Sequence, residues 1–84
     1  DDNPFGRKGS FLYPNPVVAG TSFVVYLNKY EKGEIRIFNT AGQFIAQQPV
    51  IGNENIVTAP SEPGSYLVHV VSDEIKEAFK LIIK

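Results

Sequence analysis

Apolar residues in this chain recur at every second position, in short runs cut by Gly, Pro and Asn, and that rhythm excludes most folds. A period of two sends side chains alternately to the two faces of a strand. No window of about ten residues or more carries the spacing of an amphipathic helix, so the chain is expected to be all-β. In the run from Ser22 to Leu27, Phe23, Val25 and Leu27 share one face while Val24 and Tyr26 share the other, making both faces apolar. From Glu34 to Asn39 the alternation is cleaner: Ile35 and Ile37 oppose Glu34 and Arg36, with Phe38 interrupting the polar side.

Asn39-Thr40-Ala41-Gly42 separates that run from the next. Asn can start a turn through its side chain and Gly accepts positive φ without steric penalty, which reads as a hairpin. The partner strand, Gln43 to Gln48, ends at Pro49, which has no amide hydrogen for a ladder. After the turn at Gly52-Asn53 comes a short strand from Asn55 to Thr58. The stretch from Ala59 to Gly64 holds two prolines, each biasing its predecessor away from helical geometry, and suits a crossing between sheets. Tyr66, Val68 and Val70 then alternate with Leu67, His69 and Val71, and Ser72-Asp73-Glu74 turns the chain into a last strand whose Phe79, Leu81 and Ile83 share a face. The last two strands should form an antiparallel hairpin. About seven short strands with frequent turns predict an immunoglobulin-like antiparallel β-sandwich in two sheets, without the Cys and Trp hallmarks of antibody domains.

A chain of 84 residues makes one domain and buries roughly two-thirds of its unfolded surface. Residues 1–10 are polar apart from Phe5, the composition of a hydrated linker, and residues 11–84 form the expected domain. The chain has no Met, so Asp1 is expected to follow an upstream passenger. No apolar run approaches the roughly 20 residues of a membrane-spanning helix. Eight Lys or Arg against nine Asp or Glu, with both signs interspersed, provide no basic field for nucleic acid. Lys76, Lys80 and Lys84 share one parity of the last strand, a stripe that reads as a solvated outer face.

Chemistry is sparse. His69, the single histidine, has no carboxylate within a few residues on its own strand. One His and no Cys do not make a zinc site, the acidic residues lack the repeating pattern of a calcium loop, and no glycine cluster leads into a helix to cradle phosphate. No cofactor, metal or catalytic residue is expected. Tyr13, Tyr26, Tyr30 and Phe38 are aromatic candidates for ligand contact, although packing explains each of them as well. Once one parity is assigned to the core, Val24, Tyr26, Leu67, Val71 and Ile82 leave apolar atoms on the other, a candidate surface for a partner or for self-association.

Taken in order, Leu12-Tyr13-Pro14-Asn15-Pro16 with Gly20, Gly33 to Phe38 running into Asn39-Thr40-Ala41-Gly42-Gln43, Pro63-Gly64-Ser65-Tyr66-Leu67-Val68, and the terminal Lys80-Leu81-Ile82-Ile83-Lys84 resemble the type A C-terminal sorting domain of type IX secretion cargo. The resemblance covers roughly Phe11 to Lys84. It implies a non-enzymatic export signal of Bacteroidota. The family's cargo reaches the periplasm by an ordinary signal peptide and is carried by this domain through an outer-membrane translocon. At the surface a sortase commonly removes the domain and joins the passenger to anionic lipopolysaccharide. By position, Tyr13, Pro14, Asn15, Pro16 and Gly20 match the family's first motif. Gly33, Asn39, Gly42 and Gln43 match the second, and Gly64, Tyr66 and the tail Lys80, Leu81, Ile82, Ile83, Lys84 match the third. The expected partners are translocon components and the sortase, and the expected location is the cell surface or beyond, in association with the outer membrane. Two other classes fit a sandwich of this size: an adhesive or carbohydrate-binding accessory module, and an inert spacer stabilising an upstream neighbour.

Overall fold

The structure, a computed structural model, describes residues 10–29, 31–73 and 76–84. Among them every regular element is a strand: β1 (Phe11–Tyr13), β2 (Ser22–Tyr26), β3 (Gly33–Asn39), β4 (Phe44–Pro49), β5 (Glu54–Thr58), β6 (Gly64–Ser72) and β7 (Lys76–Ile83). They form a three-stranded sheet ordered β1-β2-β5 and a four-stranded sheet ordered β4-β3-β6-β7, with all strand pairs antiparallel. The all-β sandwich expected from period-two patterning is the observed fold.

The buried parity is the one the alternation assigns. Phe23, Val25 and Leu27 face Ile35, Ile37, Val68, Val70, Leu81 and Ile83 across the interior, and each such side chain contributes roughly 1.5–3 kcal/mol by leaving water. Ala59 to Gly64 carries the chain from β5 in one sheet to β6 in the other, and β6 and β7 form the expected hairpin, from Gly64↔Ile83 to Val71↔Lys76. The hairpin after β3 is built by Asn39. Its Oδ1 accepts from Ala41 N and Gln43 N, both at 2.9 Å, and its Nδ2 donates to Gln43 Oε1 at 2.8 Å. Gly42 takes φ of 85°, where a side chain would strain the turn.

Three details depart from the pattern reading. Phe11–Tyr13 pairs with Val24–Tyr26 as the first strand, so Pro14 and Pro16 follow that strand rather than lead into it. Ser10 is buried, and its Oγ accepts a hydrogen bond from Asn28 N at 3.0 Å. Pro49 is the last residue of β4 rather than the residue beyond it, tolerated because β4 lies on the edge of its sheet.

Asn55 is the fully buried polar side chain of the interior. Its Oδ1 accepts from Ile51 N at 2.9 Å, and its Nδ2 donates to Gly52 O at 3.0 Å and to Val25 O at 3.3 Å. One side chain thus fixes the β4–β5 connection against β2. Asn55→Ala would remove the side-chain partner of Ile51 N, Gly52 O and Val25 O from a buried site, and its unfolding free energy is expected to fall by about 2–3 kcal/mol. Urea denaturation followed by tyrosine fluorescence measures it.

Candidate functional site

The outer edge of β7 is occupied. Backbone groups of Lys80, Ile82 and Lys84 point away from β6, and an exposed strand edge of this kind is open to pairing with another chain. Here the segment after β1 fills it. Asn15 Nδ2 donates to Lys80 O at 2.8 Å, and Asn15 Oδ1 accepts from Ile82 N at 2.9 Å. A single carboxamide therefore does what the backbone of a paired strand residue would do, offering one donor and one acceptor side by side. Val17 continues the seam: its N–H donates to Ile82 O, its carbonyl accepts from Lys84 N, and Ala19 N donates to Lys84 O, all at 2.9 Å. Val17 and Ile83 form a parallel bridge, and both side chains are buried.

Pro14 and Pro16 flank Asn15, and both Tyr13-Pro14 and Asn15-Pro16 are cis. Neither proline has an amide hydrogen to leave unpaired, so the segment can turn its Asn side chain to β7 without orphaning a donor. Gly20, with φ of 79°, ends the seam, and Gly20 N donates to Pro60 O at 3.2 Å. Ala59 N donates to Thr21 O at 2.7 Å. The first loop thus holds the sheet-crossing segment as well as the last strand.

The other motif residues converge on the same end of the sandwich. Asn39 is in register with Tyr66, and Tyr66 with Leu81, so the three form a row across the four-stranded sheet. Tyr66 is buried, and its hydroxyl donates to Glu62 O at 2.7 Å, clamping the crossing segment just before Gly64. Gly64 is opposite Ile83. Gly33 alone lies at the other end, paired with Ser72. A Cβ there would run into the carbonyl oxygen of Val71, so Gly33 serves a close strand approach rather than a turn.

The tail splits its residues by parity. Leu81 and Ile83 enter the core, while Lys80, Ile82 and Lys84 project outward. The five residues of the proposed apolar partner surface also face outward, but on two sheets. Val24 and Tyr26 lie on the outer face of the three-stranded sheet, near Tyr13 and the exposed Ile56. Leu67, Val71 and Ile82 lie on the outer face of the four-stranded sheet. Phe38 is there too, 5.0 Å from the His69 ring and 6.0 Å from Phe44. Tyr30 and Glu74 fall outside the described residues. Among the described residues no group of three or more His, Cys, Asp or Glu could hold a metal ion, and no helix is long and apolar enough to cross a membrane.

Parity alone pointed to the outward lysines and the buried Leu81 and Ile83. It could not find Asn15's role, because its bonds span 65 and 67 residues of sequence and nothing local marks a side chain that stands in for a strand. Asn55 was missed similarly: a polar residue at the start of a short strand resembles a turn residue until its three backbone partners are seen.

Fold and site together define a small two-sheet β-sandwich whose motif residues, Gly33 apart, gather around its last strand. The family model described as "Secretion system C-terminal sorting domain" matches residues 11–84, and the chain belongs to that family. Such a domain is the C-terminal sorting signal for type IX secretion. It implies interaction with the type IX secretion machinery and export to the cell surface or the extracellular space. No curated protein sequence matches the chain.

Proposed function

We propose that the seam between Asn15-Pro16-Val17 and Lys80–Lys84 is the address that the translocon reads. In this reading Tyr13, Pro14 and Gly20 shape the seam from one side, and Gly64, Tyr66, Asn39, Gly42 and Gln43 brace it from the other. Gly33 acts at a distance by letting β3 and β6 close. The domain performs no catalysis. Residues 11–84 are the signal, and residues 1–10 join it to a passenger and present the bond that a surface sortase cuts. The exported passenger associates with the outer membrane.

The observation that carries the reading is the pair of bonds from one Asn15 amide to Lys80 and Ile82. They tie the family's first motif to its last. A signal at the end of a chain is exposed to fraying, and this seam holds the final residues in one shape that a receptor can recognise.

The test sets Asn15→Ala against Asn55→Ala, with a passenger fused ahead of the full chain in a host carrying the secretion system. Loss of two exposed hydrogen bonds is expected to lower the Asn15→Ala unfolding free energy by about 1–2 kcal/mol, no more than Asn55→Ala loses at the far edge of the sandwich. Surface delivery of Asn15→Ala should nevertheless fall well below that of Asn55→Ala. Equal delivery of the two, once matched for stability, would reject the seam as the address.

A further inference from the structure

With the outer edge of β7 filled by Asn15, Val17 and Ala19, no further strand can add beside Lys80–Lys84. The tail remains accessible through the side chains it turns outward, and these belong to one continuous face. Lys76 and Lys80 project from β7, with Ala78 and Ile82 between and beyond them. Lys80 is in register with Leu67, and Leu67 with Phe38. In the adjacent row, Ala78 neighbours His69, His69 neighbours Arg36, and Arg36 neighbours Gln47 on the edge strand β4.

Among the described residues, charge at the outward strand positions is segregated between the two sheets. At the outward register positions of the four-stranded sheet, Arg36, Lys76 and Lys80 stand against one carboxylate, Glu34, on a chain whose formal net charge is -1. The outward positions of the other sheet carry Phe11, Tyr13, Val24, Tyr26 and Ile56 together with Glu54, and no cation. Arg36 is half-buried between its neighbours, and its Nε is buried without a hydrogen-bond partner. A guanidinium restrained in this way has already lost much of its rotamer freedom, which favours a planar two-oxygen acceptor. Exposed apolar area lies among the cations: Leu67 is 38% and Phe44 55% exposed.

We propose that the outer face of the four-stranded sheet docks an acidic protein surface, with carboxylates meeting Arg36, Lys76 and Lys80 and apolar side chains covering Leu67 and Phe38. The proposal rests on the last strand being the address and names the chemistry of what reads it. A lipid surface fits this face less well. Recognition of anionic membranes by charge takes uninterrupted clusters of about four to eight Lys or Arg, whereas here Arg36, Lys76, Lys80 and Lys84 are spread among Leu67, Phe38 and His69 and share the face with the Glu34 carboxylate. An Arg in register with His69, in the row next to Phe38 and Leu67, instead gives the face the Arg and aromatic composition of a protein interface.

The experiment again uses a passenger fused to the full chain. Wild type is expected at the cell surface, and a variant lacking residues 81–84 is expected to stay inside. A wild-type fusion that is not delivered overturns the sorting address and this face with it. Given delivery of wild type, R36Q/K76Q/K80Q should lower surface passenger by at least about tenfold while the thermal midpoint of the purified chain stays within a few degrees. K76R/K80R should be delivered like wild type. Normal delivery of the neutralised variant would overturn the face alone. So would an equal loss from Val24→Thr with Ile56→Thr on the opposite sheet. Vesicles of phosphatidylcholine with and without phosphatidylserine supply the lipid arm. Binding to the anionic vesicles that R36Q/K76Q/K80Q abolishes would assign the face to lipid and overturn the protein partner.

Discussion

A passenger carrying this domain without Leu81 to Lys84 is expected to remain inside the cell, and the shortened domain is expected to lose most of its stability. Leu81 is fully buried and Ile83 nearly so. Cutting one such side chain back to Ala forfeits about 2–5 kcal/mol, and a domain of this size holds about 4–12 kcal/mol in all. The deletion removes two of them. It also strips Ile82 N from Asn15, Ile82 O from Val17 and Lys84 O from Ala19, which frees the first loop and the sheet-crossing segment it restrains. Denaturant titration of the purified fragment should show no cooperative transition or a strongly shifted one. Lys80→Gln with Lys84→Gln separates the two consequences, because both side chains are exposed. That variant should unfold near the wild-type midpoint while delivery drops. Surface delivery of the truncated fusion at the wild-type level would contradict the whole account of the last strand.

How far the sequence foretold this arrangement depends on the range of the interaction. Period-two alternation selected Phe23, Val25, Ile35, Ile37, Val68, Val70, Leu81 and Ile83 as buried because a strand between core and solvent has only two faces to offer. The hairpin at Asn39–Gln43 was legible because its bonds close within four residues. Strand order was not legible, since β2 pairs with β5 and β3 with β6 across long intervening stretches with no local trace of the choice. The apolar outward residues show the same limit. Parity marked Val24 and Tyr26 together with Leu67, Val71 and Ile82, but which sheet each strand joins decides whether they form one patch, and they form two. Asn15 is the extreme case. Between two prolines it reads as a turn residue, and its use emerges only when the other end of the chain arrives beside it.

Gly33→Ala should produce the largest loss of stability available from a single added methyl group. Gly33 opens β3 opposite Ser72, where a Cβ would run into the Val71 carbonyl oxygen and press on the Ser72 Cβ. Both obstacles belong to a paired strand rather than to the far end of a flexible side chain. The strands must therefore separate there, disturbing the Gly33 carbonyl that accepts from Val50 N at 2.9 Å and the ladder behind Ile35 and Val70. A fall of about 3–5 kcal/mol is expected, from backbone strain and lost packing together, which at this size lowers the melting temperature by roughly 12 °C or more. Calorimetry of the purified chain measures it. Gly33 lies at the opposite end of the sandwich from the Asn15 seam, so its effect on export should act through folding alone. A second substitution that restores the melting temperature elsewhere in the core should restore delivery of Gly33→Ala, whereas the same compensation should leave Asn15→Ala undelivered. If compensation rescued both variants equally, the seam would be no more than a structural clasp, and the translocon would be recognising some other part of the domain.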